Sequence, residues 1–198
     1  MHRAGVVLTL AATLTLTGAV PPSAAAQEPQ SADVASALRA LLDQKKMDAV
    51  AARHPDQPDH FIAALYIPGS QLLVVSAPHP QPAALDYRIA EGKYRDVYLD
   101  IQGAGTQKGR FFVIDLQADG LRRTAERDSP FDIVYTNGVD QISYDGDWKA
   151  NKLSEDEYNK RFAADDARYA RLLTALKDKL AVQTPPVTPA APLPDAAR

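Results

Sequence analysis

The feature that most limits what this chain can become lies near its C-terminal end. Ser154 followed by Glu157 has the spacing of a capping box, in which each side chain takes up the other residue's backbone N–H. Tyr158, Phe162, Tyr169, Leu172, Leu173, Leu176 and Leu180 then recur at helical spacing. The pattern predicts a helix of about 26 residues, roughly 39 Å long, with one apolar stripe. A stripe of that length has to be covered, and a helix that long can cross a whole β-sheet.

The segments before it supply the sheet. Residues 61–67 and 71–76 are dense in Ile, Leu, Val and Tyr, and Pro68-Gly69 between them suits the central positions of a type II turn, so they predict two neighbouring strands. Residues 94–101 alternate: Val97, Leu99 and Ile101 on one side, Tyr94, Asp96, Tyr98 and Asp100 on the other, which predicts a further strand. Residues 111–116 are apolar on both sides except for Asp115, the pattern of a central strand. Asn137-Gly138 tolerates positive φ at both centres of a two-residue hairpin. That hairpin would set Thr136 opposite Val139, Ile133 opposite Ile142 and Phe131 opposite Tyr144, with Phe131, Ile133, Ile142 and Tyr144 facing the core. Asp145-Gly146 ahead of Trp148 predicts one more turn of the same meander.

Two shorter helices complete the pattern. Val34, Leu38, Leu41, Leu42 and Val50 share one helical face, with Ser31 and Asp33 available as caps and Pro55 as the stop. Leu85 and Ile89 follow a proline-rich stretch and precede Gly92, a residue suited to a left-handed helix cap. The expected fold is α+β: a mostly antiparallel sheet of about six or seven strands, with an N-terminal helix, a short middle helix and a long C-terminal helix packed on it.

The ends of the chain are of a different kind. Met1, His2 and Arg3 precede an uncharged run from residue 4 to 20, then Pro21, Pro22 and small residues, the layout of a secretory signal. Cleavage after Ala26 places Ala24 and Ala26 where the peptidase needs small side chains. The apolar run is shorter than the roughly 20 residues of a spanning helix, so no integral membrane segment is expected after cleavage. Residues 27–30 form a short linker, residues 31–182 one domain, and residues 183–198, with prolines at 185, 186, 189, 192 and 194, an extended tail. An exported location, periplasmic or extracellular, follows as the expectation. The chain contains no cysteine, so disulfides, thiolate metal sites and a cysteine nucleophile are excluded and the core alone must hold the fold. Removing residues 1–26 takes away one Arg and no acid, which leaves 21 basic and 25 acidic residues. That mildly acidic balance speaks against a nucleic-acid partner.

Signals for chemistry are sparse. Gly103, Gly105 and Gly109 resemble a phosphate cradle, but on this pattern the segment joins two strands, whereas phosphate loops lead into a helix. His54, His60 and His79 lack metal-ligand spacing and read as surface histidines, so no metal site is assigned. Asp145, Asp147, Asp156 and Glu157 hint at a calcium loop, but Lys149 and Ala150 stand where such a loop needs an oxygen ligand and its glycine, and turn chemistry accounts for them better. Ser70 follows Gly69 without a nucleophile elbow around it. Asp165 and Asp166 have Arg161, Arg168 and Arg171 within a turn, the setting for surface ion pairs. The candidate ligand pocket is therefore Tyr94, Asp96, Tyr98 and Asp100, two phenols and two carboxylates on one strand face; no catalytic set is assigned, and no cofactor is identified. The favoured function is a non-catalytic binding or interaction module for a small-molecule or protein ligand. The alternative is a cofactor-binding enzyme or carrier with the element order of a flavin-binding split barrel.

Overall fold

The computed structural model describes residues 31–103, 110–123, 130–138 and 140–182. The signal segment and linker, the glycines at 105 and 109 and the proline-rich tail lie outside the described residues. In chain order the elements are α1 (Ser31–Lys45), β1 (Ala49–Arg53), β2 (His60–Ile67), β3 (Gln71–Pro78), α2 (Pro82–Ala90), α3 (Tyr94–Gly103), β4 (Phe111–Leu116), β5 (Asp132–Thr136), β6 (Asp140–Tyr144) and α4 (Glu155–Val182). The six strands form one antiparallel sheet in sequence order, with β1 and β6 as its edges. It is an open meander, not a barrel. No helix among the described residues is long and apolar enough to cross a membrane.

The α+β expectation therefore holds, with helices on both faces. α1 and α4 cover the first face, which carries Val50, Ala52, Ile62, Ala64, Leu72, Val74, Phe111, Val113, Val134, Ile142 and Tyr144. α2 and α3 cover the second face where it is formed by β1, β2 and β3, against Ala51, Phe61, Ala63, Val75 and Ala77. Strands buried on both faces need no polar alternation, which is why β2 and β3 read as continuous apolar runs.

Local chemistry fixes the joints. Gly69 has φ +71 between Pro68 and Ser70, and the Ser70 N–H donates to the Ile67 carbonyl at 3.0 Å, closing the expected turn. α2 starts with Pro82 in its first turn and ends at Gly92, φ +74. There the Gly92 and Lys93 amides donate to the carbonyls of Ile89 and Arg88, the bonding pattern of a Schellman cap. Ahead of α4, Ser154 and Glu157 satisfy each other's backbone N–H groups as the capping box requires.

Several expectations are corrected. Residues 94–101 are not a strand but lie in α3, where Tyr94, Val97, Tyr98 and Ile101 form the buried stripe and Leu99 is exposed. Val50 does not continue α1: Lys46 takes φ +55, the helix stops, and residues 49–53 pair with β2 as β1. The last hairpin is displaced by one residue, pairing Thr136 with Asp140 and Val134 with Ile142. Asn137 and Gly138 have the expected positive φ, but the Gly138 N–H donates to the Arg110 carbonyl ahead of β4, and strand pairing resumes only at Asp140. A shift of one reverses the faces of one strand. Asp132 and Val134 of β5 therefore face the core, and Ile133 faces away.

The region after β6 is a set of side-chain-closed turns instead of another strand. The Asp145 carboxylate accepts the Asp147 N–H, and the Asp147 carboxylate accepts those of Lys149 and Ala150.

Candidate functional site

Two groupings of ionisable side chains stand out, and the first is structural. Asp115 and Asp132 follow the Val113↔Val134 pair on neighbouring strands and lie on the core side beneath α4, both buried. The Asp115 carboxylate accepts the N–H groups of Asp119 and Gly120 and the Tyr169 hydroxyl. Asp132 accepts those of Leu116 and Arg122. Burial pushes Asp115 up to about 6, and burial together with Asp115 pushes Asp132 up to about 7. Gln117 and Ala118 between them hold positive φ, 79° and 53°, so the carboxylates tie down a segment that would otherwise relax. Their work is to anchor residues 116–122.

The same end of the sheet seats α1. The Asp166 carboxylate of α4 accepts both the backbone N–H and the hydroxyl of Ser31, and the Ser31 Oγ accepts the Leu121 N–H at 2.9 Å. Asp165 accepts the Tyr144 hydroxyl at 2.6 Å. The two acids expected in surface ion pairs thus bind α4 to α1 and to β6.

The second grouping lies at the opposite end of the sheet. Alternation along β1 and β2 continues past the ladder, so His54 and His60 follow Ala52 and Ile62 onto the α4 face, and the His54 N–H donates to the His60 carbonyl at 3.0 Å. Their rings meet edge to face with centroids 6.0 Å apart. His54 is buried and His60 half-buried, which corrects their reading as surface histidines. The His54 Nδ1 accepts the Asp56 N–H at 3.0 Å, so its neutral ring carries the proton on Nε2. Burial, reinforced by Arg168 and Arg171, pulls its pKa below the usual histidine value. The His60 Nδ1 lies 3.0 Å from the Asp59 carboxylate, which this bond holds below the usual carboxylate range.

α4 brings Arg168, Arg171 and Leu172 against these histidines, and the β5–β6 turn contributes Asn137. Together with Asp56 and Gln57 they enclose a cleft of about 380 Å³. Arg168 lies over the Phe111 ring at 4.1 Å, which fixes its guanidinium. The Arg171 Nε is 3.9 Å from the Asp56 carboxylate, a loose pair. The Gln57 Oε1 is buried without a hydrogen-bond partner among the described residues. A second groove of about 350 Å³ adjoins the first, sharing Asp56 and Arg171 with it.

The pocket expected from sequence does not form on one face. On helix α3 the four residues separate: Tyr94 and Tyr98 enter the second-face core, while Asp96 and Asp100 are exposed. Asp100 binds Arg88 and His79. Tyr94 and Asp96 do line a shallow cleft of about 280 Å³ with Lys46, Lys93 and Arg95, at the turn between α2 and α3. Gly103 ends a helix, so the glycine segment links α3 to β4 rather than strand to strand. His54, His60, Arg168 and Arg171 escaped the sequence because their meeting depends on the β1–β2 pairing, which the helical reading of Val50 concealed. An antiparallel pair centred between Ala52 and Ile62 would have placed the two histidines opposite each other.

The chain matches no protein-family model, no curated protein and no solved structure.

Proposed function

We propose that the protein is exported and serves outside the cytoplasm as a non-catalytic binding module, taking a small anionic ligand in the cleft between the β1–β2 connection and α4. The observation that carries this reading is the convergence of Arg168 and Arg171 with His54, His60 and Asn137 around one cleft of about 380 Å³. Guanidiniums supply charge and paired donors suited to a carboxylate or phosphate. A neutral His54 adds an Nε2–H donor, and the volume lies in the range of small-molecule sites. The three-part layout of residues 1–26 supports export.

Calorimetric titration of the chain starting at Gln27 with inorganic phosphate, sulfate and acetate tests the site. Saturable binding that weakens about tenfold or more in Arg171→Gln is the expected result, since a charge-assisted hydrogen bond contributes roughly 1.5–3 kcal/mol. Absence of saturable binding for every anion would remove the reading. Intact mass of the protein recovered from outside the cytoplasm tests export, and a species retaining Leu8 to Leu16 would refute the cleavage.

A further inference from the structure

We infer that the ligand is a soluble single-chain amphiphile, with its anionic group in the His–Arg cleft and its apolar chain in the groove that continues from it along α4. This rests on the anion-binding reading above and specifies its ligand class. The two hollows meet at Arg171 and Asp56, so one molecule can occupy both. The groove runs beside α4 from Ala167 past Ala170, Arg171, Thr174 and Ala175 to Asp178, with Pro55 opposite, and the stretch from Arg171 to Asp178 is about 10 Å along the helix axis.

Its walls are mainly carbon. The one hydroxyl among them, on Thr174, donates to the Ala170 carbonyl at 2.8 Å and is already satisfied within the helix. A ligand's polar groups would lose water there and gain nothing in exchange. Charge then sets the direction. Arg168 and Arg171 outnumber the Asp56 carboxylate where the two hollows meet, whereas Asp178 stands at the far end of the groove, so an anionic head is drawn to the arginines and repelled from the far end. The small side chains of Ala170 and Ala175 leave room that larger residues would fill.

The test is a titration series on the chain starting at Gln27: inorganic phosphate, then ethyl, butyl, hexyl and octyl phosphate at concentrations where each is monomeric, with octanoate and octanol as companions. Each methylene that enters the groove should tighten binding about twofold to fourfold, so octyl phosphate should bind at least tenfold more tightly than phosphate. Octanoate should bind more tightly than octanol. Thr174→Trp, at a half-buried groove position between Arg171 and Asp178 and outside the core cluster, should flatten the chain-length dependence, with circular dichroism and the thermal midpoint reporting that the fold is intact. A flat series with saturable phosphate binding would overturn the amphiphile and leave the anion site standing. Failure of every anion, octyl phosphate included, would overturn both. Octanol binding as tightly as octyl phosphate would also overturn it. So would binding to phosphatidylglycerol vesicles without binding of monomeric octyl phosphate, which would make the surface a membrane contact.

Discussion

The buried carboxylates make a prediction about pH that runs against the usual behaviour of acids in folded proteins. Asp132 rises from 3.8 to about 7, a preference for its neutral form of about 4 kcal/mol. Asp115 rises from 3.8 to about 6, or about 3 kcal/mol. Asp115 is one cause of the rise at Asp132, so the two figures are not independent. Between about pH 4 and pH 7 the folded state holds protons that the unfolded state has released, and stability therefore falls as pH rises through this window. Asp132→Asn keeps the shape and removes the carboxyl that holds its proton to the higher pH. It also leaves one amide of the 116–122 segment without its acceptor, a constant cost of about 1 kcal/mol. Urea unfolding of both proteins at about pH 4.5, 6 and 7.5, followed by Trp148 fluorescence and circular dichroism, separates the two effects. The stability of the native protein should drop by about 2–4 kcal/mol more across this range than that of Asp132→Asn. His54 works in the opposite sense, because its depressed pKa lets stability rise as pH passes the unfolded histidine value, but it is present in both proteins and cancels in the difference. Parallel stability curves would refute the claim that the pair holds its protons.

Other consequences follow from packing. Gly120→Ala should cost about 3 kcal/mol, measured by denaturant midpoint, because φ is +88° and the added Cβ would stand 2.3 Å from the backbone of Ala32. Leu173→Ala, at a fully buried position, should cost about 2–5 kcal/mol, and Phe162→Ala about half as much as a fully buried Phe would, since Phe162 is only half-buried. Ser154→Ala should cost about 1 kcal/mol through the lost cap. A chain ending at Thr184 should melt within a few degrees of the full chain, and a larger drop would show that residues 185–198 dock on the domain.

Where local chemistry decides the structure, the sequence was sufficient. The capping box at Ser154, the Pro68-Gly69 turn and the cap at Gly92 each depend on a few adjacent residues, and each occurs where the spacing indicates. Residues 94–101 satisfy two periods at once: Tyr94, Val97, Tyr98 and Ile101 fall on a helical face, while the same stretch also alternates as a strand. Packing against β1, β2 and β3 chose between them. Ala49–Arg53 is alanine-rich and locally suited to a helix, yet it pairs as an edge strand because β2 offers a ladder. The candidate site was hidden for the same reason. His54 and His60 meet through strand pairing, Arg168 and Arg171 through the docking of α4, and no local pattern encodes either encounter.

The order of the strands also bears on how the chain assembles. Every strand has its sequence neighbour as a partner, so the sheet can grow strand by strand with only short loops and helices to close. The exception is the contact of α1 with α4: Ser31 and Asp166 are 135 residues apart. Until α4 arrives, the first face of the sheet, with Phe111, Val113, Ile142 and Tyr144, remains uncovered, and the start of α1 lacks the carboxylate that receives it. α4 therefore acts as a latch that covers this face of the sheet. A protease cut between Tyr144 and Ser154 would separate the sheet from its latch and leave a face prone to pairing with other copies.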